Sequence, residues 1–236
     1  MKARVNTFAL QQTVVESANL AVLGMVAHPL PDEGNYQGTV YRGTAEVATF
    51  NVSVDDDFKD RQADVDLSAL APHRRRQREA HKAPTYSLAP ESFLLLYVSQ
   101  GSGGYSVRLD KLGRGKPRRV FDTRNLRKGD MFVASLLRPG TYEMTDRSGK
   151  GKGKITVAYP AAGKKPYQPS APETVTVTEK GFQPSRVSVG AAQGIVFNVE
   201  TDRSAIAVSL AKPDDGPHEK GDRDKFRWKK PGERRG

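Results

Sequence analysis

Apolar and polar residues alternate along most of this chain in short stretches bounded by glycine and proline. Ala45, Val47, Ala48, Phe50, Val52 and Val54 form one such stretch, and Tyr105, Val107 and Leu109 another. Val175 and Val177, Val187 and Val189, then Ile195, Phe197 and Val199, then Ile206, Val208 and Leu210 continue it. A period of two places these side chains on one face of a strand. Phe93-Leu94-Leu95-Leu96-Tyr97-Val98 is unbroken, as is Met131 to Leu137 apart from Ser135. Unbroken runs of this length between turn residues predict buried strands. Gly43, Gly101-Ser102-Gly103-Gly104, Pro139-Gly140 and the lysine–glycine run 149–154 mark the turns. The pattern predicts an all-β chain, a Greek-key β-sandwich of cupredoxin or immunoglobulin type.

Other stretches depart from that pattern. Residues 1–30 fit neither the helix nor the strand period, and are expected to form a strand, a short helix or an exchanged arm. Ala18 to Ala27 is apolar but follows Glu16 rather than a short basic segment, so a core element is favoured over an export signal. Residues 55–84 read as a long exposed loop, acidic first and basic later. The expected organisation is a main sandwich over 1–159, a Pro-rich linker at 160–172, a small β block at 173–211 and a charged, disordered or extended tail at 212–236. A block of that size is too small to fold securely alone, so it is expected to add strands to the first sheet, to a second lobe or to a neighbour.

Two segments resemble cupredoxin-like domains. Gly129-Asp130, Phe132, Pro139-Gly140-Thr141-Tyr142 and Gly153-Lys154-Ile155-Thr156-Val157 resemble the family's closing strands. Gly181-Phe182-Gln183-Pro184, Val187, Val189, Gly194, Val196 and Phe197 resemble its opening strands, although they come later in the chain. The resemblance implies a Greek-key sandwich. It does not carry the family's chemistry, because blue copper requires a cysteine thiolate and two histidines, and Thr145 and Asp146 stand where the thiolate would fall.

The absence of cysteine removes thiolate nucleophiles and thiolate metal sites together. The histidines, His28, His73, His81 and His218, lack metal-ligand spacing and read as solvated loop residues. No nucleophile elbow, metalloprotease helix or phosphate loop is present. Asp55, Asp57 and Asp60 are calcium candidates, but they miss the spacing of the twelve-residue calcium loop. The expectation is a protein that is not an enzyme and carries no cofactor.

Charge changes the picture most. The net charge is +11, yet residues 1–72 hold 10 acidic and 5 basic groups. The excess of base is therefore carried by the remainder, in Arg74, Arg75, Arg76 and Arg78, in Arg114, Lys116, Arg118 and Arg119, and in Lys150, Lys152 and Lys154. These residues, with Trp228 in the tail, are the candidate contacts to a partner or polyanion. Opposed charge and extended segments predict a structural or assembly protein that self-associates as a homo-oligomer or packs with other chains in a larger complex, through β-edge, extended-segment and charge-complementary contacts, with nucleic-acid binding the alternative. No apolar run is long enough to span a bilayer; the compartment stays open, with the cytoplasm slightly favoured.

Overall fold

The computed structural model describes residues 7–71, 83–160 and 167–214. The chain opens with a short helix, α1 (Thr7–Gln11), and a short strand, β1 (Val14–Glu16). Then come β2 (Gly24–Leu30), β3 (Gly34–Arg42), β4 (Ala45–Val54) and β5 (Gln62–Asp66). A single helical turn, α2 (Leu67–Leu70), precedes β6 (Thr85–Leu88), β7 (Ser92–Tyr97), β8 (Tyr105–Leu112) and β9 (Arg118–Asp122). β10 (Met131–Ser135), β11 (Gly140–Asp146) and β12 (Lys152–Ala158) follow. The last strands are β13 (Glu173–Thr178), β14 (Gly181–Gln183), β15 (Arg186–Gly190), β16 (Gly194–Val199) and β17 (Ile206–Pro213). Among the described residues the structure is all-β, with strand at 57% and helix at 4%. Among the described residues no helix is long and apolar enough to cross a membrane.

The strands divide among three sheets rather than the two of a single Greek-key sandwich. One five-stranded sheet runs β6-β4-β3-β8-β9 and the other β1-β17-β11-β12-β15. Between them a seven-stranded sheet runs β14-β13-β16-β10-β2-β7-β5. In each half the chain passes back and forth between an outer sheet and this shared one. β4 therefore lies parallel to β6 and β5 to β7, and likewise β12 to β15 and β13 to β16. Such stacking of successive passes is the pattern of a short β-solenoid, here flanked by antiparallel hairpins. Residues 173–213 form no sheet of their own, since β13 and β16 extend the sheet of β10 while β15 and β17 flank β11 and β12.

The two halves repeat one plan. Reading outward from the middle of the shared sheet, β2-β7-β5 answers β10-β16-β13. In the outer sheets β6-β4-β3-β8-β9 answers β15-β12-β11-β17-β1. The place that β9 takes in the first half is taken in the second by β1, from the other end of the sequence. The repeat extends to side chains. Gly34-Asn35-Tyr36 matches Gly140-Thr141-Tyr142, both glycines have positive φ, and both tyrosines are buried. Tyr36 Oη donates to Asp32 O at 2.6 Å and Tyr142 Oη to Arg138 O at 2.8 Å, four residues upstream in each case. Burial raises both phenols above the usual range. β2 and β10 are antiparallel neighbours, with Val26 opposite its own equivalent Phe132. Met25 faces Val133, and Ala27 faces Met131. The register thus obeys a local two-fold axis through the shared sheet.

One face of the shared sheet carries the core. Val175, Val177, Ile195, Phe197, Phe132, Ala134, Val26, Leu94, Leu96, Ala63 and Val65 are all buried there and share a strand face by register. His28 stacks on Phe121 of the first outer sheet at 4.4 Å. At the other end of the same strand, a Cβ on Gly24 would lie 3.1 Å from Val15 of β1, in the second outer sheet. Both outer sheets therefore pack on the same face of the shared one.

Several expectations change. The loop expected at 55–84 contains β5 and α2, which the run of acids obscured. Asp64 and Asp66 alternate with buried Ala63 and Val65, so this is a strand with one acidic face. His28 is not a solvated loop residue: its Nδ1 lies 2.7 Å from Oδ1 of buried Asp130. Within 1–30 the segment settles as α1, β1 and β2, with β1 paired in its own chain. Residues 72–82, 161–166 and 215–236, which include Arg74, Arg75, Arg76, Arg78, Trp228, His73, His81, His218, part of the linker and the tail, lie outside the described residues.

Candidate interaction surfaces

The basic residues of 108–128 are partly spent within the fold. Arg119 Nε lies 2.6 Å from Asp110 Oδ1, and this hydrogen bond, ahead of the opposing effect of burial, raises the guanidinium's pKa further. Arg124 donates twice to Ser106 Oγ, at 3.0 and 2.8 Å. Arg108 lies 3.3 Å from Asp122, at ion-pair distance but without hydrogen-bond alignment. Arg108 and Arg124 both stack on the Tyr41 ring, at 4.9 and 5.4 Å. The face of the first outer sheet is therefore a cross-strand lattice of Arg, Asp and Tyr that satisfies much of its own charge. Arg114 and Lys116 are exposed at the tip of the β8–β9 hairpin, with Arg118 beside them at the start of β9.

The second basic group lies on the other outer sheet. Lys154 stands between Glu143 and Arg186 across β11, β12 and β15, with Lys152 two residues along. These side chains border an open depression of about 450 Å³ with Met144, Thr145, Gly153 and Ser185. Lys150 is exposed in the preceding turn. Lys150, Lys152 and Lys154 therefore lie on or beside one five-stranded sheet and Arg114, Lys116, Arg118 and Arg119 on or beside the other.

The acidic turn is held by local hydrogen bonds. Asp55 Oδ1 accepts the Asp57 N–H at 3.0 Å, closing a local turn. Asp60 contributes its backbone oxygen, which accepts the N–H of Ala89 at 2.8 Å. Asp56 instead meets Glu33, whose carboxyl is raised first by the hydrogen bond its protonated form donates to Asp56 and next by that residue's charge. Among the described residues no group of three His, Asp or Glu side chains could hold a metal ion. Asp55 and Asp60, two of the calcium candidates, thus take part in local backbone hydrogen bonding, and Asp57 does so through its N–H.

Asp66 has a structural duty. Its Oδ1 accepts the N–H of Ser68 at 3.0 Å, the Ser68 hydroxyl at 2.6 Å and the N–H of Ser99 at 3.2 Å, while its Oδ2 accepts the Ser99 hydroxyl. Burial pushes this carboxyl up, but the hydrogen bonds outweigh it and hold the group below the usual range. Its stabilising contribution is complete above the unfolded value of about 3.9 and is lost as pH falls through the lower folded value. Asp66→Asn is expected to flatten the acid limb of stability below about pH 4, as read by denaturant titration at several pH values. A limb of unchanged slope would show that the carboxylate's charge contributes nothing there.

The remaining surface is the outward face of the shared sheet. Cross-strand register lays out three rows on it. Thr176, Asn198, Met131, Ala27, Leu95 and Asp64 form the first. Thr174, Val196, Val133, Met25, Tyr97 and Asp66 form the second. Gln62, Phe93 and Pro29 form a shorter third. The four central strands present no charged side chain on this face. Their outward residues are half-buried, except that Ala27 is buried and Phe93 is 37% exposed. Sequence reasoning missed this surface, although the unbroken runs at Phe93–Val98 and Met131–Leu137 carried its signal. An unbroken run makes both faces of a strand apolar without saying which of them is covered.

No family model matches the chain, and neither a curated protein nor a solved structure resembles it at a significant level.

Proposed function

We propose that this chain is a non-enzymatic structural or assembly protein that works by packing against other protein chains. The observation that carries the reading is the uncharged outward face of the shared sheet, in a chain whose residues are 28% charged. Contiguous apolar surface of this kind is the usual mark of a protein–protein contact. Three of the six end strands argue less for edge contacts: β1 and β14 have three residues each and β6 four, and short edges resist strand addition. The cupredoxin-like reading belongs with this proposal. It is supported by the way β10–β12, with the closing-like motif, and β13–β16, with the opening-like motif, pair with one another in a single half.

A second reading, polyanion binding, draws on Lys152, Lys154 and Arg186 gathered on one exposed sheet face. Its weakness is that the other basic hairpin lies on a different sheet and that Arg119, Arg108 and Arg124 already have partners. Light scattering of the purified chain, with a gel-retardation assay on DNA and RNA, separates the two. Assembly predicts particles larger than one chain and free of nucleic acid. A strict monomer that retards nucleic acid, with affinity falling steeply as salt rises, would overturn the assembly reading.

A further inference from the structure

A local two-fold axis passes through the centre of the outward face of the shared sheet. Met25, Ala27, Met131 and Val133 surround the local two-fold axis, and each lies opposite the equivalent of its neighbour. The face is flanked on one border by Asp64 and Asp66 and on the other by Thr174 and Thr176. Charge is concentrated instead on the outer sheets, where Arg108, Arg119, Lys152, Lys154 and Arg186 lie.

We propose that this face packs against the same face of a second copy, sheet on sheet, with the β2–β10 seams of the two copies crossing at the centre. The proposal rests on the assembly reading and names its partner. Seven strands spaced about 4.8 Å, each contributing roughly five residues at about 3.3 Å, make a face of roughly 34 by 17 Å. Two such faces pressed together hide on the order of 1,100 Å², just above the ~1,000 Å² that a specific interface needs. That area suits a dimer of modest affinity. Sheets stack about 10 Å apart with strands within about 30° of one another, so half-buried Val, Met and Leu side chains from each copy fill the gap. A copy of the same chain also satisfies the geometry of an isologous contact, in which one patch meets itself. Each chain carries +11, so the two copies repel through their outer faces. Salt screens that repulsion and leaves the apolar contact intact. Association through this face therefore strengthens with added salt, whereas association by opposed charges weakens.

Sedimentation velocity on the full chain, from about 1 to 100 µM and at low and moderate salt, tests this. The expected result is a monomer–dimer equilibrium that moves toward dimer as salt rises. Val133→Arg and, independently, Met25→Glu should each weaken the dimer at least tenfold, with circular dichroism and thermal midpoint close to those of the parent. Thr156→Arg, on the exposed face of an outer sheet, should leave the equilibrium unchanged. Two seam variants guard against one of them misfolding. If the parent chain associates but both folded seam variants associate equally well, this face is not the contact, and assembly must proceed through another surface. If the parent is monomeric throughout, the homodimer fails; whether the assembly reading fails with it is decided by the nucleic-acid assay.

Discussion

Replacing Phe132 by alanine should lower the unfolding free energy by about 3–5 kcal/mol, the usual cost of emptying a buried phenylalanine site. Phe132 is fully buried on the central strand β10. It stands opposite Val26 of β2 on one side and Phe197 of β16 on the other, stacked on the Phe197 ring at 5.8 Å. Its ring also fills the space beside Gly24, where a Cβ would lie 3.5 Å from Phe132 Cε2. The phenyl group therefore joins both halves of the core and covers a position that has no side chain. Little can collapse into the void, because the neighbours are held in strand ladders on both sides. Urea unfolding should show a lower midpoint. A loss below about 1 kcal/mol would mean that the two halves do not share a core at this point.

Gly38→Ala is the second large effect, and it acts by crowding. Gly38 stands opposite Phe50 across β3 and β4. A Cβ there would come within 2.1 Å of Phe50 Cζ, so the aromatic ring lies directly over the glycine backbone. Phe50 is fully buried and packs edge-on against Tyr86 at 6.1 Å, which leaves it little room to retreat. The cost should be about 1–3 kcal/mol, the usual penalty of overpacking. Gly113→Ala, where an added Cβ meets nothing within 4 Å, should be close to neutral in the same assay. Shortening Phe50 to leucine in the Gly38→Ala background should recover part of the loss. If Gly38→Ala proves neutral alone, the ring moves more freely than this packing allows.

Strand-by-strand reading of the sequence was reliable where alternation was clean. The stretches ending in Val54, beginning at Tyr105 and spanning Ile195–Val199 are strands, and Phe50, Val52, Val54, Tyr105, Val107, Leu109, Ile195, Phe197 and Val199 are buried, whereas Ala45 and Val47 at the start of the first are exposed. It faltered where charge sat on a strand. Ala63 and Val65 are core residues, but Asp55, Asp56, Asp57, Lys59, Asp60 and Arg61 before them and Asp64 between them gave the signature of a loop. The surfaces were harder. Arg119 looked available in the sequence, yet Asp110 across the ladder takes its charge. Nothing in the spacing of 110 and 119 foretells that pairing, because a bulge shifts the register of β8 and β9 between Leu109 and Asp110.

Local residue choice determined that this chain is β-rich, where its turns fall and that it lacks cysteine chemistry. Those properties follow from backbone preference and from atoms that are present or missing. The tertiary structure alone decided the rest. The matching tyrosines Tyr36 and Tyr142, the self-paired seam at Val26 and Phe132, and β1 in the place that β9 fills in the other half all depend on pairings between distant segments. So does the uncharged outward face. Alternation says that a strand has two faces; only the arrangement of sheets says that both outer sheets lie on the same side of the shared one, which leaves Met25, Met131 and Val133 facing outward.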